Sequence, residues 1–170
     1  MSKLQHRYET MVHALSADVY RYALFLCRNP TQAEDLTQET FLRAWRFLGS
    51  LRDDTKAKSW LFTTVRREFA RQFERYQPIF EELDAEQTPG GTDVDADAWG
   101  IRKAVAALPL KYREVLVLQA IGGYTGNEIA AMLEIPRATV NTRLFRARAH
   151  LRRLLDGETS ELPKDSATCS

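Results

Sequence analysis

The sequence predicts an all-α protein made of two small helical domains that are joined by a flexible acidic linker. Apolar side chains recur at helical spacing through most of the 170 residues, and no stretch alternates like a half-buried strand. Charge divides the chain into blocks, with net charges of +4 over residues 1–73, −7 over residues 74–100 and +7 over residues 101–155. From residue 77 to residue 100 the helical spacing fails, and prolines, glycines and acids replace it. These observations predict domains at residues 1–76 and 100–156, a linker at residues 77–99 and a polar tail at residues 157–170.

The first two helices are predicted from spacing and caps. Apolar residues at helical spacing place a first helix from the amino terminus to about Arg28, and Asn29-Pro30 breaks it. Thr31 with Glu34 forms a capping box, so a second helix is expected to run to Leu48. Its apolar side contains Leu36, Phe41, Ala44, Trp45, Phe47 and Leu48. Leu42 lies among charged residues on the other side, which is a mild sign of a contact with another protein.

A polar loop over Gly49–Ser59 leads to a third helix, expected at about Lys58–Tyr76. Its buried side is predicted to contain Leu61, Phe62, Val65, Phe69 and Phe73. A separate stripe consists of Trp60, Thr64, Arg67, Arg71 and Arg75. An aromatic residue in line with arginines suits single-stranded or melted nucleic acid, where bases stack and phosphates are neutralised. Alternatively, Trp60 is a core residue at the start of the helix.

The carboxyl-terminal domain ends in a predicted helix-turn-helix. Pro109 opens a helix that Gly122-Gly123 ends, and a capping box of Thr125 and Glu128 starts a short helix after it. Pro136 ends that short helix and suits the first turn of a longer one over residues 137–153. The second helix of such a motif can enter the major groove of DNA.

A helical projection of residues 137–153 separates two faces. Val140, Leu144, Ala147 and Leu151 are predicted to pack inward. The opposite face contains Ala138, Thr142, Phe145, Arg146, Ala149 and Arg153. A phenylalanine among arginines is better explained by contact with thymine methyl groups than by core packing. The alternative is a solvated basic helix with one stray aromatic residue.

Several classes of site are not indicated. Cys27 and Cys169 form no disulfide framework, which favours a reducing cytoplasmic location. The three histidines are scattered without metal-ligand spacing, so neither a metal nor a cofactor is expected. No apolar run reaches membrane-spanning length, and residues 1–18 are unlike a signal peptide.

Two motifs resemble the extracytoplasmic-function (group 4) sigma factors of bacterial RNA polymerase. The segment over residues 33–45, AEDLTQETFLRAW, is similar to the polymerase-binding signature of sigma region 2. The segments that resemble region 4 are Ala107-Leu108-Pro109, Tyr112-Arg113-Glu114-Val115, Glu128-Ile129-Ala130 and residues 139–148. Both motifs occur in order, and the resemblance covers residues 8–155.

The resemblance implies three sets of contact residues. Those implied to bind the clamp helices of the polymerase β′ subunit are Asp35, Gln38, Glu39, Leu42 and Arg43. Those implied to contact the −10 element, where a flipped base is captured as the duplex opens, are Asp54, Lys56, Lys58, Trp60, Arg67 and Arg71. Those implied for the −35 element are Thr125, Arg137, Thr139, Asn141, Thr142, Arg143, Phe145, Arg146 and Arg148. Of the last set, Arg137, Arg143 and Arg148 are expected at phosphates.

The implied function is a transcription initiation factor, with core RNA polymerase, including its β flap, promoter DNA and an anti-sigma factor as partners. No catalytic residue and no small-molecule substrate are expected. The chain departs from the family pattern at Arg67, Gly126-Asn127, Glu134 and Asn141, and these departures bear on which promoter is recognised. Two rival interpretations are a stand-alone helix-turn-helix regulator and a DNA-acting enzyme such as a recombinase. The first leaves residues 35–45 without a role, and the second needs an active site in a domain that is predicted to be all-helical.

Overall fold

A computed structural model describes residues 2–80 and 96–157, and these residues form seven α-helices and no strand. The helices are α1 (Lys3–Cys27), α2 (Pro30–Phe47), α3 (Ala57–Phe80), α4 (Ala96–Ala107), α5 (Leu110–Ala120), α6 (Gly126–Leu133) and α7 (Arg137–Leu155). Single 3-10 turns at Leu48–Ser50 and Asp54–Lys56 connect α2 to α3. The predicted all-α fold is confirmed.

Helices α1 to α3 form the amino-terminal domain around a core of aromatic and aliphatic side chains. The largest fully buried members of this core are Val19, Tyr22, Leu26, Leu36, Leu61, Phe62 and Val65. The rings of Tyr22 and Phe62 stack with centroids 4.7 Å apart and planes 6° apart. Such a pair fixes α1 against α3 more specifically than aliphatic contacts alone, because the rings have a preferred relative geometry.

The start of α2 differs from the prediction. Asn29, not Thr31, is the N-cap, and its side chain accepts a hydrogen bond from the backbone N–H of Gln32. Pro30 occupies the first turn, where its missing N–H costs nothing and its fixed φ suits the helix. The proline therefore moves the helix start two residues ahead of the predicted capping box.

Two aromatic residues of α2 predicted on the apolar side are exposed. Trp45 is 43% exposed and Phe47 is 56% exposed. Trp45 packs edge-on against Tyr8, with ring centroids 5.0 Å apart, and the hydroxyl of Tyr8 donates to the carbonyl of Phe41. The α1 helix therefore covers only part of this side of α2, and apolar surface remains open to solvent.

Helices α4 to α7 form the carboxyl-terminal domain. Its core consists of Val115, Leu118, Ile129, Leu133, Val140 and Leu144. The glycines after α5 are needed for separate reasons. Gly123 has φ +70, and a Cβ at Gly122 would lie 2.5 Å from the carbonyl oxygen of Leu118. The predicted ends of this helix are confirmed.

The helices extend into the segment predicted as linker. Helix α3 passes Pro78 and ends at Phe80, and α4 begins at Ala96. Near a helix end, a proline forfeits few backbone hydrogen bonds, so it need not stop the helix at once. The rest of the predicted linker, residues 81–95, and the tail from residue 158 lie outside the described residues.

The two domains pack against each other. Helix α1 contacts α5, and α3 contacts α6. The ring of Phe62 in α3 meets the ring of Tyr124, which precedes α6, edge-on with centroids 5.9 Å apart. Buried side chains of both domains consequently belong to one hydrophobic cluster.

Candidate nucleic-acid interface

Helices α6 and α7 form the predicted helix-turn-helix. The hydroxyl of Thr125 accepts from the backbone N–H of Glu128 and donates to its carboxylate, so the predicted cap is present. Glu134 turns the chain with φ 55, in the left-handed region that favours glycine. Pro136 then caps α7. These local choices fix the angle at which α7 leaves the domain.

The two faces of α7 are those predicted from periodicity. Val140, Leu144 and Ala147 are buried. Phe145 is 75% exposed, and Thr142 and Arg146 beside it are also exposed. A large aromatic side chain held this far from the core gains nothing from packing, which favours a contact with another molecule.

Three polar residues at the start of the motif form one cluster, here called the Arg137 cluster. The guanidinium of Arg137 donates to the side-chain oxygen of Asn127 and, at 3.3 Å, to that of Asn141. Gly126 makes the approach possible, since a Cβ there would lie 2.6 Å from Nε of Arg137. Three of the departures from the family pattern, Gly126, Asn127 and Asn141, therefore meet around one arginine.

Arg137 and Asn141 are both held in this cluster, and their roles at the −35 element stay predictions. Arg137, which is expected at a phosphate, bridges α6 and α7 and remains exposed. Because Asn141 accepts from Arg137 through Oδ1, its outward group is the NH₂, which is a donor only. The cluster thus presents hydrogen-bond donors to an approaching ligand.

A groove of about 290 Å³ runs beside this face. It is lined by Lys111, Tyr112, Ala138, Thr139, Thr142, Arg143 and Arg146. Lys111 was not predicted, because it is an isolated lysine in the first turn of an apolar helix. Arg148 lies farther along α7 and donates to the side chain of Gln119 at 2.6 Å. Four of the residues expected at the −35 element therefore line the groove, and Thr125 and Phe145 lie outside it.

In the amino-terminal domain, the loop after α2 borders a cavity of about 240 Å³. Its lining residues are Met11, Ala44, Phe47, Leu48, Ser50, Leu51, Ala57 and Trp60. Trp60 is half-buried and lies 6.2 Å from Phe47 between ring centroids, so it belongs to an apolar wall and also faces the cavity. The half-burial of Trp60 supports the core interpretation in part, and its contact with nucleic acid stays a prediction.

The other residues expected at the −10 element differ in availability. The carboxylate of Asp54 pairs with Arg7, and Lys58 lies 3.6 Å from the carboxylate of Asp18. Arg71 pairs with the buried Glu68 at 2.5 Å. Lys56 and Arg67 are exposed. The loop and α3 therefore present cations that do not line the cavity, and the carboxylate of Asp54 holds the loop by pairing with Arg7.

The surface expected to bind polymerase lies on α2. Asp35, Gln38 and Leu42 are exposed, and Leu42 is open to 52%. Arg43 is half-buried and forms ion pairs with Glu39 at 3.0 Å and with Glu68 at 2.9 Å. Arg43 thereby links α2 to α3, a structural role that the sequence motif did not reveal.

Sequence reasoning missed the contact between the domains, here called the interdomain junction. It consists of Arg28, Arg66, Arg113 and Glu114. Arg113 donates to the carbonyls of Leu26 and Leu108, each at 2.8 Å, and Arg28 donates to that of Ala106 at 3.0 Å. Arg66 in α3 pairs with Glu114 in α5.

Burial shifts the pKa values of two groups in the interdomain junction. Desolvation raises the pKa of Glu114, and the charge and hydrogen bond of Arg66 oppose this rise. Desolvation also lowers the pKa of Arg113 to about 10. Arg113 and Glu114 both lie on α5. Apolar residues occur on every side of this helix, so periodicity did not predict whether these two side chains are buried or exposed.

Two kinds of site are absent from the described residues. No group of three or more histidine, cysteine, aspartate or glutamate side chains is placed to hold a metal ion there. In the same part of the chain, no helix combines the length and apolar character needed to cross a membrane.

Comparisons with known proteins agree with the geometry. Residues 11–78 match the family model of sigma-70 region 2, and residues 99–151 match that of sigma-70 region 4. The ECF RNA polymerase sigma factor SigL of Mycobacterium tuberculosis is 34% identical over 81% of this chain and 82% of its own. SigM of Bacillus subtilis is 32% identical over 81% of this chain and 88% of its own.

Solved structures show the same fold. The sigma factor RpoE from Bartonella quintana, in complex with the anti-sigma factor NepR, superposes with a TM-score of 0.73 at 25% identity. The match covers 88% of this chain and 96% of RpoE, and therefore includes both domains. A stand-alone regulator would leave the region 2 match unexplained. The chain therefore belongs to the extracytoplasmic-function sigma factors, and as a sigma factor it directs transcription by RNA polymerase.

Proposed function

We propose that this sigma factor recognises its promoters with two surfaces, the exposed face of α7 at the −35 element and the cavity beside Trp60 at the −10 element. The observation that carries the proposal is that the two surfaces suit different forms of DNA. A helix with exposed polar and apolar side chains fits the major groove of a duplex, whereas an aromatic-walled cavity fits a base removed from its stack.

At the −35 element, Thr142, Phe145 and Arg146 contact base edges, since they are exposed on the side of α7 opposite the buried Val140, Leu144 and Ala147. Arg143 and the unpredicted Lys111 bind phosphates along the groove of about 290 Å³, and Arg148 binds a phosphate farther along α7. Thr139 lines this groove, whereas Thr125 and the Arg137 cluster lie outside it. Their donors suit phosphate oxygens or purine acceptors, so Arg137 acts chiefly by orienting Asn141.

At the −10 element, the cavity of about 240 Å³ accepts one flipped base, which Trp60 contacts through its ring. Lys56, Lys58, Arg67 and Arg71 neutralise the phosphates of the separated strand. Each such contact releases a counterion, so this step is sensitive to salt.

Polymerase binding is assigned to Asp35, Gln38 and Leu42 on α2, which face the β′ clamp helices, with Glu39 and Arg43 holding that surface in shape. Exposed Trp45, three residues after Leu42 on α2, extends the same surface with apolar area. The carboxyl-terminal domain contacts the β flap. The polymerase performs the chemistry in the cytoplasm, and this chain contributes no catalytic group and no cofactor.

An anti-sigma factor is a further partner. The solved relatives RpoE and CnrH are each in complex with one, NepR and the cytosolic domain of CnrY respectively. The superposition on RpoE spans both domains, so the packed arrangement of this chain resembles that of a sigma factor held by its inhibitor.

Promoter binding requires the two domains to separate. The −35 and −10 elements lie about 25 base pairs apart, on the order of 85 Å at about 3.4 Å per base pair. Domains in direct contact cannot span this distance. The interdomain junction therefore opens when polymerase and DNA are bound.

Size-exclusion chromatography of the chain with core RNA polymerase, followed by transcription from genomic fragments, tests the proposal. Co-elution with transcripts that begin at defined positions supports it. Tight duplex binding by the chain alone, without co-elution, contradicts the assignment of the α2 surface to polymerase.

A further inference from the structure

One arginine near the amino terminus holds the loop that borders the cavity. Arg7 lies in α1, four residues before the segment that matches sigma-70 region 2. Its Nη1 donates to the carbonyl of Leu48 at 3.1 Å, and its Nη2 donates to the carbonyl of Leu51 at 2.6 Å. Its Nε also donates to the carboxylate of Asp54 at 2.7 Å. A single guanidinium thus binds three points of a seven-residue stretch.

Burial alone does not hold this loop. Every residue from Gly49 to Lys56 is exposed except Leu51, which is half-buried. A Cβ at Gly49 would meet nothing within 4 Å. The remaining local contacts are short-range hydrogen bonds. They include the backbone bonds from Leu51 to Leu48 and from Lys56 to Asp53, the bond from the Ser50 hydroxyl to the carbonyl of Phe47, and the cap that Asp53 provides for Thr55. Loops with little buried apolar surface open easily, so the contacts of Arg7 have a large share in fixing this one.

The same contacts reach the cavity. Leu48 and Leu51, whose carbonyls Arg7 binds, line the cavity together with Trp60. Met11, one helical turn after Arg7 on α1, also lines it. Arg7 itself does not line the cavity, and its charge is paired with Asp54. A direct phosphate contact is therefore a poor explanation for its position.

We propose that Arg7 is a positioning residue that sets the shape of the cavity, and through it the base preference at the −10 element. This inference rests on the proposed role of the cavity in receiving a flipped base. Arg7 acts through Leu48 and Leu51, whose placement decides which base fits against Trp60. Without Arg7 the wall moves, and the cavity discriminates less among bases.

Lysine cannot replace Arg7. Three acceptors on one planar group require the fixed fork of a guanidinium, whereas an ammonium is a point charge on a flexible stem. Arg7→Lys therefore keeps the charge and the helix but loses the simultaneous contacts. Since small displacements at a binding site have large effects, we expect roughly a tenfold loss of base discrimination.

The test uses holoenzyme reconstituted from the full chain and core polymerase, on a promoter library with randomised −10 and −35 bases. Sequencing of the transcripts gives a preference at every position. R7K is expected to flatten the preference at one −10 position and to leave the −35 preferences unchanged. Arg21→Lys, a matched change on the solvent side of α1, is expected to behave like the wild type. Asp54→Asn, which weakens one contact and leaves the two carbonyl contacts, is expected to give a smaller loss at the same position.

Each alternative result overturns the inference in a distinguishable way. If R7K keeps the full −10 preference while the wild type discriminates, Arg7 does not position the cavity. If R7K lowers both preferences equally, or is unfolded by circular dichroism while D54N retains the full preference, Arg7 is only a stabilising residue. If the wild type itself shows no −10 preference, the proposed role of the cavity fails as well.

Discussion

The interdomain junction and the exposed surface of α7 that we propose to face DNA, here called the DNA-facing surface, both depend on arginines, but in opposite environments. Arg113 is 4% exposed and satisfies backbone carbonyls of both domains. Arg137 is exposed and links only two asparagine side chains. Removing a buried arginine leaves acceptors without water or partners, whereas water replaces an exposed one at little cost. The interdomain junction therefore contributes to stability, whereas the residues of the DNA-facing surface can vary with the promoter that is recognised.

The largest expected effect is at the junction. Arg113→Ala should lower the free energy of unfolding by about 3 kcal/mol, because the carbonyls of Leu26 and Leu108 lose a charged donor while remaining buried. Urea denaturation followed by circular dichroism measures it. Arg137→Ala is the matched control and should stay within about 0.5 kcal/mol of the wild type. Equal losses in the two variants would remove the distinction between the surfaces.

Removing Arg66 tests whether the junction holds the domains together. Arg66→Ala leaves the buried carboxylate of Glu114 without its ion partner, which should favour separated domains by about 2 kcal/mol, or roughly 30-fold. Small-angle X-ray scattering should show a larger radius of gyration. Replacing both residues by leucine should restore the packed arrangement, since apolar groups can fill a buried ion-pair site. An unchanged radius in Arg66→Ala would show that apolar contacts suffice.

The DNA-facing surface should respond in specificity and leave stability unchanged. Phe145→Ala is expected to change base preference at the −35 element by about 1 kcal/mol, because it removes an apolar contact to a base edge. Arg148→Ala should weaken binding to all sequences and reduce the salt slope by about 1, because it removes a phosphate contact. Holoenzyme binding to duplex variants over a range of salt separates the two effects. Identical behaviour of both variants would contradict the assignment.

Two non-glycine residues with left-handed backbone allow a finer comparison. Glu134 (φ 55) lies at the exposed turn of the helix-turn-helix, and Arg28 (φ 57) lies at the junction. Glu134→Gly should raise the melting temperature, with a gain of up to about 1 kcal/mol that the freer unfolded chain partly offsets. Arg28→Gly should give no such gain, because it also loses the hydrogen bond to Ala106. Calorimetry measures the melting temperatures of both variants. Equal gains in Glu134→Gly and Arg28→Gly would argue against a stabilising role for Arg28.

The smallest expected effect is of pH. The pKa of Glu114 is raised in the packed state, so packing is favoured below the usual glutamate range and this contribution is lost as pH rises through the raised pKa. The charges of Arg66, Arg113 and Arg143 lower the pKa of Glu114 and limit the rise. Scattering or fluorescence transfer between the domains should show slightly tighter packing as pH falls from 7 to 5. Glu114→Gln should abolish the dependence, and a dependence of opposite sign would refute this account.

The sequence was sufficient wherever the determinant of structure was local. Turn chemistry at Thr125 and Gly122-Gly123, and periodicity in α7, predicted the helix-turn-helix and its exposed Phe145. Each of these signals lies within a few residues of the feature it specifies. The same is true of the buried side of α3, where Leu61, Phe62 and Val65 have the predicted burial.

Contacts between distant residues could not be predicted in this way. Arg7 and Asp54 are separated by 47 positions, and Arg66 and Glu114 by 48, with no pattern that pairs them. The exposure of Trp45 and Phe47 likewise depends on how much of the apolar side of α2 is covered by α1. Periodicity indicates that a face is apolar, but the tertiary arrangement decides how much of it is covered.

The interdomain junction has a consequence for the competition among binding partners. Because the two domains belong to one chain, each is present to the other at an effective concentration. For short flexible linkers, this concentration is on the order of millimolar. The contact between the two domains therefore always competes with the binding of polymerase to either domain, whatever the cellular abundance of polymerase. A polymerase that binds only one domain must overcome this internal competition with a single contact. A polymerase that engages both domains together overcomes it with two contacts. The junction consequently favours simultaneous engagement of both domains over occupancy of either one alone.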